Sequence, residues 1–187
     1  MPTDAGRTLR RDAARNREQL LAAARRMFAE RGPDVPLEDV AGAAAVSRTT
    51  LYRHFASREE LAATVFEDNV TRIEERAAAL RDHPRGAMEL FDFVLDMLEH
   101  DRGLVHVLAG ADIAWFTGLA SRTTDAFAAV LEHGRASGTV HPGVVADDVL
   151  TAIRMAEAAM PPADSPESGH RSRRARVMLH RTLFTGR

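Results

Sequence analysis

The chain has 187 residues, is 45% hydrophobic, and sets 25 basic side chains against 27 acidic ones for a formal net charge of −2. That balance excludes a histone-like protein that coats nucleic acid by bulk charge, and the apolar content excludes wholesale disorder. Cysteine is absent, which removes disulfides, thiolate zinc sites and cysteine nucleophiles together and fits a reducing, cytoplasmic setting.

The opening MPTDAGRTLRRDAARNR has no apolar core or small-residue cleavage site, so no secretory signal is read there, and no apolar run is long enough to span a bilayer. The average charge conceals a polarity. Residues 1–65 hold 11 Arg and 9 acidic residues, whereas residues 66–187 hold 14 Arg and 18 acidic residues. Lysine is absent, so every cation is an arginine, the residue suited to gripping phosphate oxygens in pairs.

The apolar period is helical throughout, and no alternating strand pattern occurs. Leu20, Leu21, Ala24, Met27 and Phe28 mark a first helix, stopped by Gly32-Pro33. Residues 1–10 read as a flexible basic arm before it. The arginines 7, 10, 11, 15 and 17 form either an arm that reaches a minor groove or a solvated face. Pro36 reads as a first-turn proline of a short helix carrying Leu37, Val40, Ala41 and Ala44, with Glu38 and Asp39 at its positive end. Ser47 is the expected N-cap of a third helix with Leu51 and Phe55 on its inner face. Ser57-Arg58-Glu59-Glu60 is a capping box opening a long helix with Leu61, Val65 or Phe66, Val70, Ile73, Ala77 and Leu80 at steps of three and four.

Further helices are expected over Ala87–His100, Leu104–Ala109, Ile113–His133, Val144–Met160 and Arg171–Phe184, with Pro161–Gly169 a loop by composition. The expected fold class is all-α, with about nine helices. A first helical domain over 11–56 is followed by a larger helical domain over 57–187.

Helices Leu37–Ala44 and Ser47–Phe55, joined by a very short turn, make a helix-turn-helix. The second can lie in a major groove, with Arg48, Thr49, Thr50 and Arg53 offering hydroxyls and guanidinium groups to base edges or phosphates.

The stretch 39–61, DVAGAAAVSRTTLYRHFASREEL, resembles the signature of the TetR family of bacterial transcriptional regulators without a gap, and Leu20–Gly32 resembles its first helix. The resemblance implies that Tyr52 and His54 contact phosphates. Arg58 stands where the family often has Lys, at a helix N-terminus suited to a phosphate. Arg48, Thr49 and Thr50 fall where base-facing residues usually lie. Three residues depart from the pattern. Ala45 replaces the turn glycine, so the turn is expected to be strained or reshaped. Thr49 replaces a frequent Gly, and Pro36 stands in place of a phosphate-binding Thr.

From about Phe66 onward the chain resembles the SbtR-type C-terminal half in architecture. That implies an effector pocket and a homodimer through 144–160 and 171–184, with the apolar face Val145, Val149, Ile153, Ala156 and Met160 either covered by a second copy or packed within its own subunit. Met88, Phe91, Met97, His106, Trp115, Phe116 and Met155 are the pocket candidates and suit an apolar or aromatic ligand; core packing explains each equally well.

The eight histidines are scattered, so no metal site is expected, and no cofactor. No catalytic constellation is present, so no enzymatic activity is expected. The function implied is a ligand-responsive repressor acting as a homodimer on a near-palindromic double-stranded DNA operator. The alternative keeps the DNA head and gives the C-terminal half a protein partner.

Overall fold

The structure, a computed structural model, describes residues 4–32, 34–101, 107, 113–160 and 168–185. Apart from Val107, the expected Leu104–Ala109 helix lies outside the described residues, as do His106, Pro33 and 161–167 of the expected Pro161–Gly169 loop, whose Ser168 and Gly169 are already helical. Eight helices are present among the described residues: α1 (Asp4–Arg31), α2 (Leu37–Ala43), α3 (Arg48–His54), α4 (Arg58–Leu80), α5 (Gly86–His100), α6 (Ile113–Ala136), α7 (Ala146–Ala159) and α8 (Ser168–Leu183). None of the described helices is long and apolar enough to cross a membrane. The described residues fall into two compact units, one within Met1–Glu67 and His100–Gly110, the other within Asp68–Glu99 and Ala111–Arg187.

In the first unit, α1 buries Leu20, Leu21, Ala24 and Phe28 against α2 and α3, which contribute Val40, Ala41 and Leu51. Helix α1 extends back to Asp4, so the described part of the expected arm is helical. Apart from Gly6, its residues carry no helix breaker, and Arg, Ala and Leu rank high in helix propensity. Gly32, at φ +80°, ends α1 as expected.

The turn after α2 is a Schellman motif: Val46 N–H donates to Ala41 O at 3.0 Å and Ala45 N–H to Gly42 O at 3.1 Å. Ala45 takes the left-handed position, at φ +54°. Alanine thus adopts the backbone that glycine favours, and the turn keeps its shape instead of changing it. Pro36 is the N-cap of α2 and not its first helical residue. Ser47 caps α3 through Thr50 N–H at 3.1 Å, and Ser57 caps α4 through Glu60 N–H at 3.1 Å. The Glu60 carboxylate accepts the Ala56 N–H at 2.7 Å, one residue upstream of the amide expected.

The second unit has one continuous core. It draws Ile73, Ala77 and Leu80 from α4, Leu90, Phe91, Val94 and Leu95 from α5, Phe127, Val130 and Leu131 from α6, Val149, Ile153 and Ala156 from α7, and Leu179 and Leu183 from α8. The α7 face of Val149, Ile153 and Ala156 is therefore covered within the chain. Val145, at the start of that expected face, is exposed, as are Met155, Val177 and Met178, all on or beside the last two helices.

At the α4–α5 corner, a Cβ on Gly86 would lie 2.3 Å from the Leu80 carbonyl oxygen. A short backbone stitch joins 139–141 to 183–185. His141 N–H donates to Leu183 O at 3.1 Å, Thr185 N–H donates to Thr139 O at 3.0 Å, and Val140 pairs antiparallel with Phe184.

Candidate nucleic-acid interface

Helix α3 is one turn of buried anchor and one face of polar groups. Leu51 is fully buried and Phe55 nearly so, which fixes the rotation of the helix about its axis. That rotation turns Arg48, Thr49, Tyr52 and Arg53 outward, all of them exposed. Thr50 is half-buried, and its hydroxyl shares a 2.8 Å hydrogen bond with Ser47 Oγ, so it also serves the cap.

Two of the outward side chains, Arg48 and Tyr52, are held by Glu38 of α2. Arg48 Nη2 lies 2.7 Å from Glu38 Oε1. The Tyr52 hydroxyl donates to the same oxygen at 3.1 Å, and the Arg48 guanidinium carbon stands 5.9 Å from the Tyr52 ring centroid. Nearby, Arg31 pairs with Asp39 at 2.7 Å, and Arg58 approaches Asp34 at 3.7 Å. The Glu38 carboxyl is held below its ordinary value first by its own backbone N–H, then by the Tyr52 hydroxyl and the Arg48 charge, so it stays ionised. Glu38 was legible in sequence only as a first-turn acid. Its partnership with Tyr52 spans a helix and a turn, and no local spacing rule reaches that far.

His54 is placed differently from its neighbours. It is half-buried, its Nε2 is shielded from solvent without a hydrogen-bond partner, and its ring sits 6.2 Å from that of Phe55. Burial, then the charges of Arg53 and Arg17, push its pKa down. A phosphate contact from this residue has to use its other ring nitrogen.

The residues expected around an effector divide into three groups. Met88 and Met97 are half-buried against the core of the second unit, and Trp115 and Phe116 are half-buried with rings 4.8 Å apart, edge to face. Phe91 is wholly buried, packing its ring at 5.7 Å from Phe184 and 5.5 Å from His180. Met155 is 59% exposed on the outside of α7, so it lines no cavity and joins the apolar surface instead. A groove of about 190 Å³ does occur between α4 and α6, but Glu74, Arg81, Arg122 and Asp125 line it, with Ala77 and Ala126. Its wall is braced by Arg122, whose Nε donates to Glu74 Oε1 at 2.8 Å and whose Nη2 reaches Glu74 Oε2 at 2.5 Å. That guanidinium lowers the Glu74 pKa.

A second polar cluster ties α5 to α8. His180 Nε2 lies 2.8 Å from Asp92 Oδ1, and Arg176 donates to the Asp92 carbonyl at 3.1 Å and also pairs with Asp96. Among the described residues no group of histidines and carboxylates is arranged to hold a metal ion.

Comparison with known proteins follows the same division. Residues 20–65 match the model of bacterial regulatory proteins of the tetR family, and residues 83–180 match that of the SbtR-like transcriptional regulator C-terminal domain. The chain belongs to the TetR family. It is a DNA-binding transcriptional regulator, all-α as its composition and period indicate.

Among curated proteins this TetR-family chain is similar to the HTH-type transcriptional repressor KstR2 of Mycolicibacterium smegmatis, at 27% identity over 154 residues and 75% of each chain. Among solved structures it is similar to a TetR transcription regulatory protein from Mycobacterium vanbaalenii. That match has 27% identity and a TM-score of 0.74 over 95% of this chain and 99% of that one. A TetR transcriptional regulator from Streptomyces coelicolor shares the fold at 23% identity, with a TM-score of 0.73 over 91% and 99% of the two chains.

Proposed function

We propose that this TetR-family regulator is a repressor that binds a near-palindromic operator as a homodimer and leaves it when a small molecule binds the second unit. The observation that carries the reading is the outward face of α3, where Arg48, Thr49, Tyr52 and Arg53 stand exposed around a buried Leu51. Such a face presents guanidinium and hydroxyl groups to a major groove, with Arg48, Thr49 and Thr50 toward bases and Tyr52, His54 and Arg58 toward phosphates. In a dimer, two copies of α3 would enter successive grooves roughly 34–36 Å apart.

The exposed Val145, Met155, Val177 and Met178 support a dimer surface on α7 and α8. For the effector, the half-buried Met88, Met97, Trp115 and Phe116 are apolar side chains on offer, whereas Phe91 is wholly buried in the core. Helix α4 contributes Arg58–Glu67 to one unit and Asp68–Leu80 to the other, which makes it our candidate for the element through which occupancy would alter DNA affinity.

The test is selection of duplexes from a random pool by the purified chain, followed by titration of the selected duplex. Arg48→Ala should weaken its binding by about 1–3 kcal/mol and relax base preference at one position of each half-site, while Tyr52→Ala should weaken all sequences alike. A chain that enriches no sequence would overturn the reading.

A further inference from the structure

We propose that Glu38 is a specificity-determining positioning residue: its carboxylate withholds Arg48 and Tyr52 from indiscriminate phosphate contact and keeps Arg48 aimed for base edges. The proposal rests on the reading of the α3 outward face as the DNA face. Its geometric basis is a closed triangle across two helices, with Glu38 Oε1 taking Arg48 Nη2 at 2.7 Å and the Tyr52 hydroxyl at 3.1 Å, and the Arg48 guanidinium lying beside the Tyr52 ring.

Donor counting gives the two side chains different fates. A phenol has one O–H donor. While Tyr52 donates it to Glu38, it has none for a phosphate, so a phosphate contact through that hydroxyl requires Tyr52 to leave Glu38. A carboxylate and a phosphate oxygen are equivalent acceptors for it, and Glu38 is therefore a built-in competitor of the DNA backbone. Arg48 has five N–H donors in a planar fork. Spending one on Glu38 leaves the others for a base edge and fixes the plane of the fork, which matters for bidentate contact with guanine.

Binding to arbitrary sequence is carried by phosphate neutralisation, whereas operator binding adds oriented base contacts. Freeing Arg48 and Tyr52 thus favours arbitrary sequence more than operator. The same logic extends along the segment 34–39, where Asp39 and Asp34 also stand against Arg31 and Arg58. Glu38 is the member of that set held by two groups of the reading helix.

The experiment compares wild type, Glu38→Gln and Glu38→Asp on a random-sequence duplex and on a duplex selected by the wild-type chain, across a salt series. Glu38→Gln is expected to tighten random-duplex binding about fivefold with a salt slope steeper by about one, and to tighten the selected duplex less, so that the ratio of affinities falls. Glu38→Asp keeps the charge but withdraws it by one methylene, and should lose part of the ratio. If it matches wild type on both duplexes, charge alone accounts for the effect and positioning is wrong.

Tyr52 is the single tyrosine, so a ring-carbon isotope label gives one magnetic-resonance signal, expected to shift in Glu38→Gln. Unchanged random-duplex affinity, or an equal change on both duplexes, overturns the proposal. Arg48→Ala and Tyr52→Phe in the wild-type background separate the two levels. If both leave both duplexes bound as before, the α3 face is not the DNA face. If they weaken binding and Arg48→Ala also abolishes the Glu38→Gln effect, Glu38 acts through Arg48.

Discussion

Ala45 and His54 show how single residues of the DNA head carry local strain. Ala45 sits at φ +54° in the Schellman turn between α2 and α3. An L-residue there costs about 1–2 kcal/mol, of which roughly 0.4–1 is returned because alanine restricts the unfolded chain more than glycine does. Ala45→Gly should therefore stabilise the head by roughly 0.5 kcal/mol, measured as a higher urea midpoint with an unchanged slope. For His54, burial and two arginines hold the folded-state pKa below the ordinary 6.5. The folded state then binds fewer protons than the unfolded one as pH falls below 6.5, so stability falls in step until pH passes below the folded value. Urea midpoints at about pH 7.5 and about pH 5.5 should differ more in wild type than in His54→Gln, and equal differences would contradict this account.

At the scale of elements, the corner between α4 and α5 depends on a missing side chain. A Cβ at Gly86 would meet the Leu80 carbonyl oxygen at 2.3 Å, and backbone cannot swing aside as a long side chain does. Gly86→Ala should cost about 1–3 kcal/mol, readable by denaturation, and full retention of stability would show that the corner can open.

The caps and stops were legible in sequence because their partners are three or four residues away, as with Ser47 to Thr50, Ser57 to Glu60, and Gly32 after α1. The faces of the later helices were only partly so. Met155 and Ile153 are both apolar and two residues apart, yet one is outside and one in the core, and only the position of the neighbouring helices decides which. The bond between Asp92 and His180 joins residues 88 apart, beyond any periodicity.

At the scale of the molecule, the exposed Val145, Met155, Val177 and Met178 lie late in the chain, remote in sequence from the basic head. Met155 and Met178, at 59% and 60% exposed, are the largest of them. Placing a charge there should oppose association without disturbing the core. Met178→Glu is expected to yield a folded monomer by light scattering. Because the second half-site contact then no longer benefits from linkage to the first, operator affinity should drop about 10²–10⁴-fold. A dimer of wild-type strength would move the interface elsewhere.

The stitch between 139–141 and 183–185 bears on the order in which the second unit assembles. The two segments it joins lie on either side of α7 and most of α8 in the chain. Helical contacts within four residues form in about a microsecond or less, whereas closing a long segment carries a larger entropic barrier. The stitch is therefore expected to close after α7 and α8 have found each other and to contribute little to the transition state. Weakening its backbone bonds should then act mainly on the rate of unfolding, as a latch on the lifetime of the folded unit would.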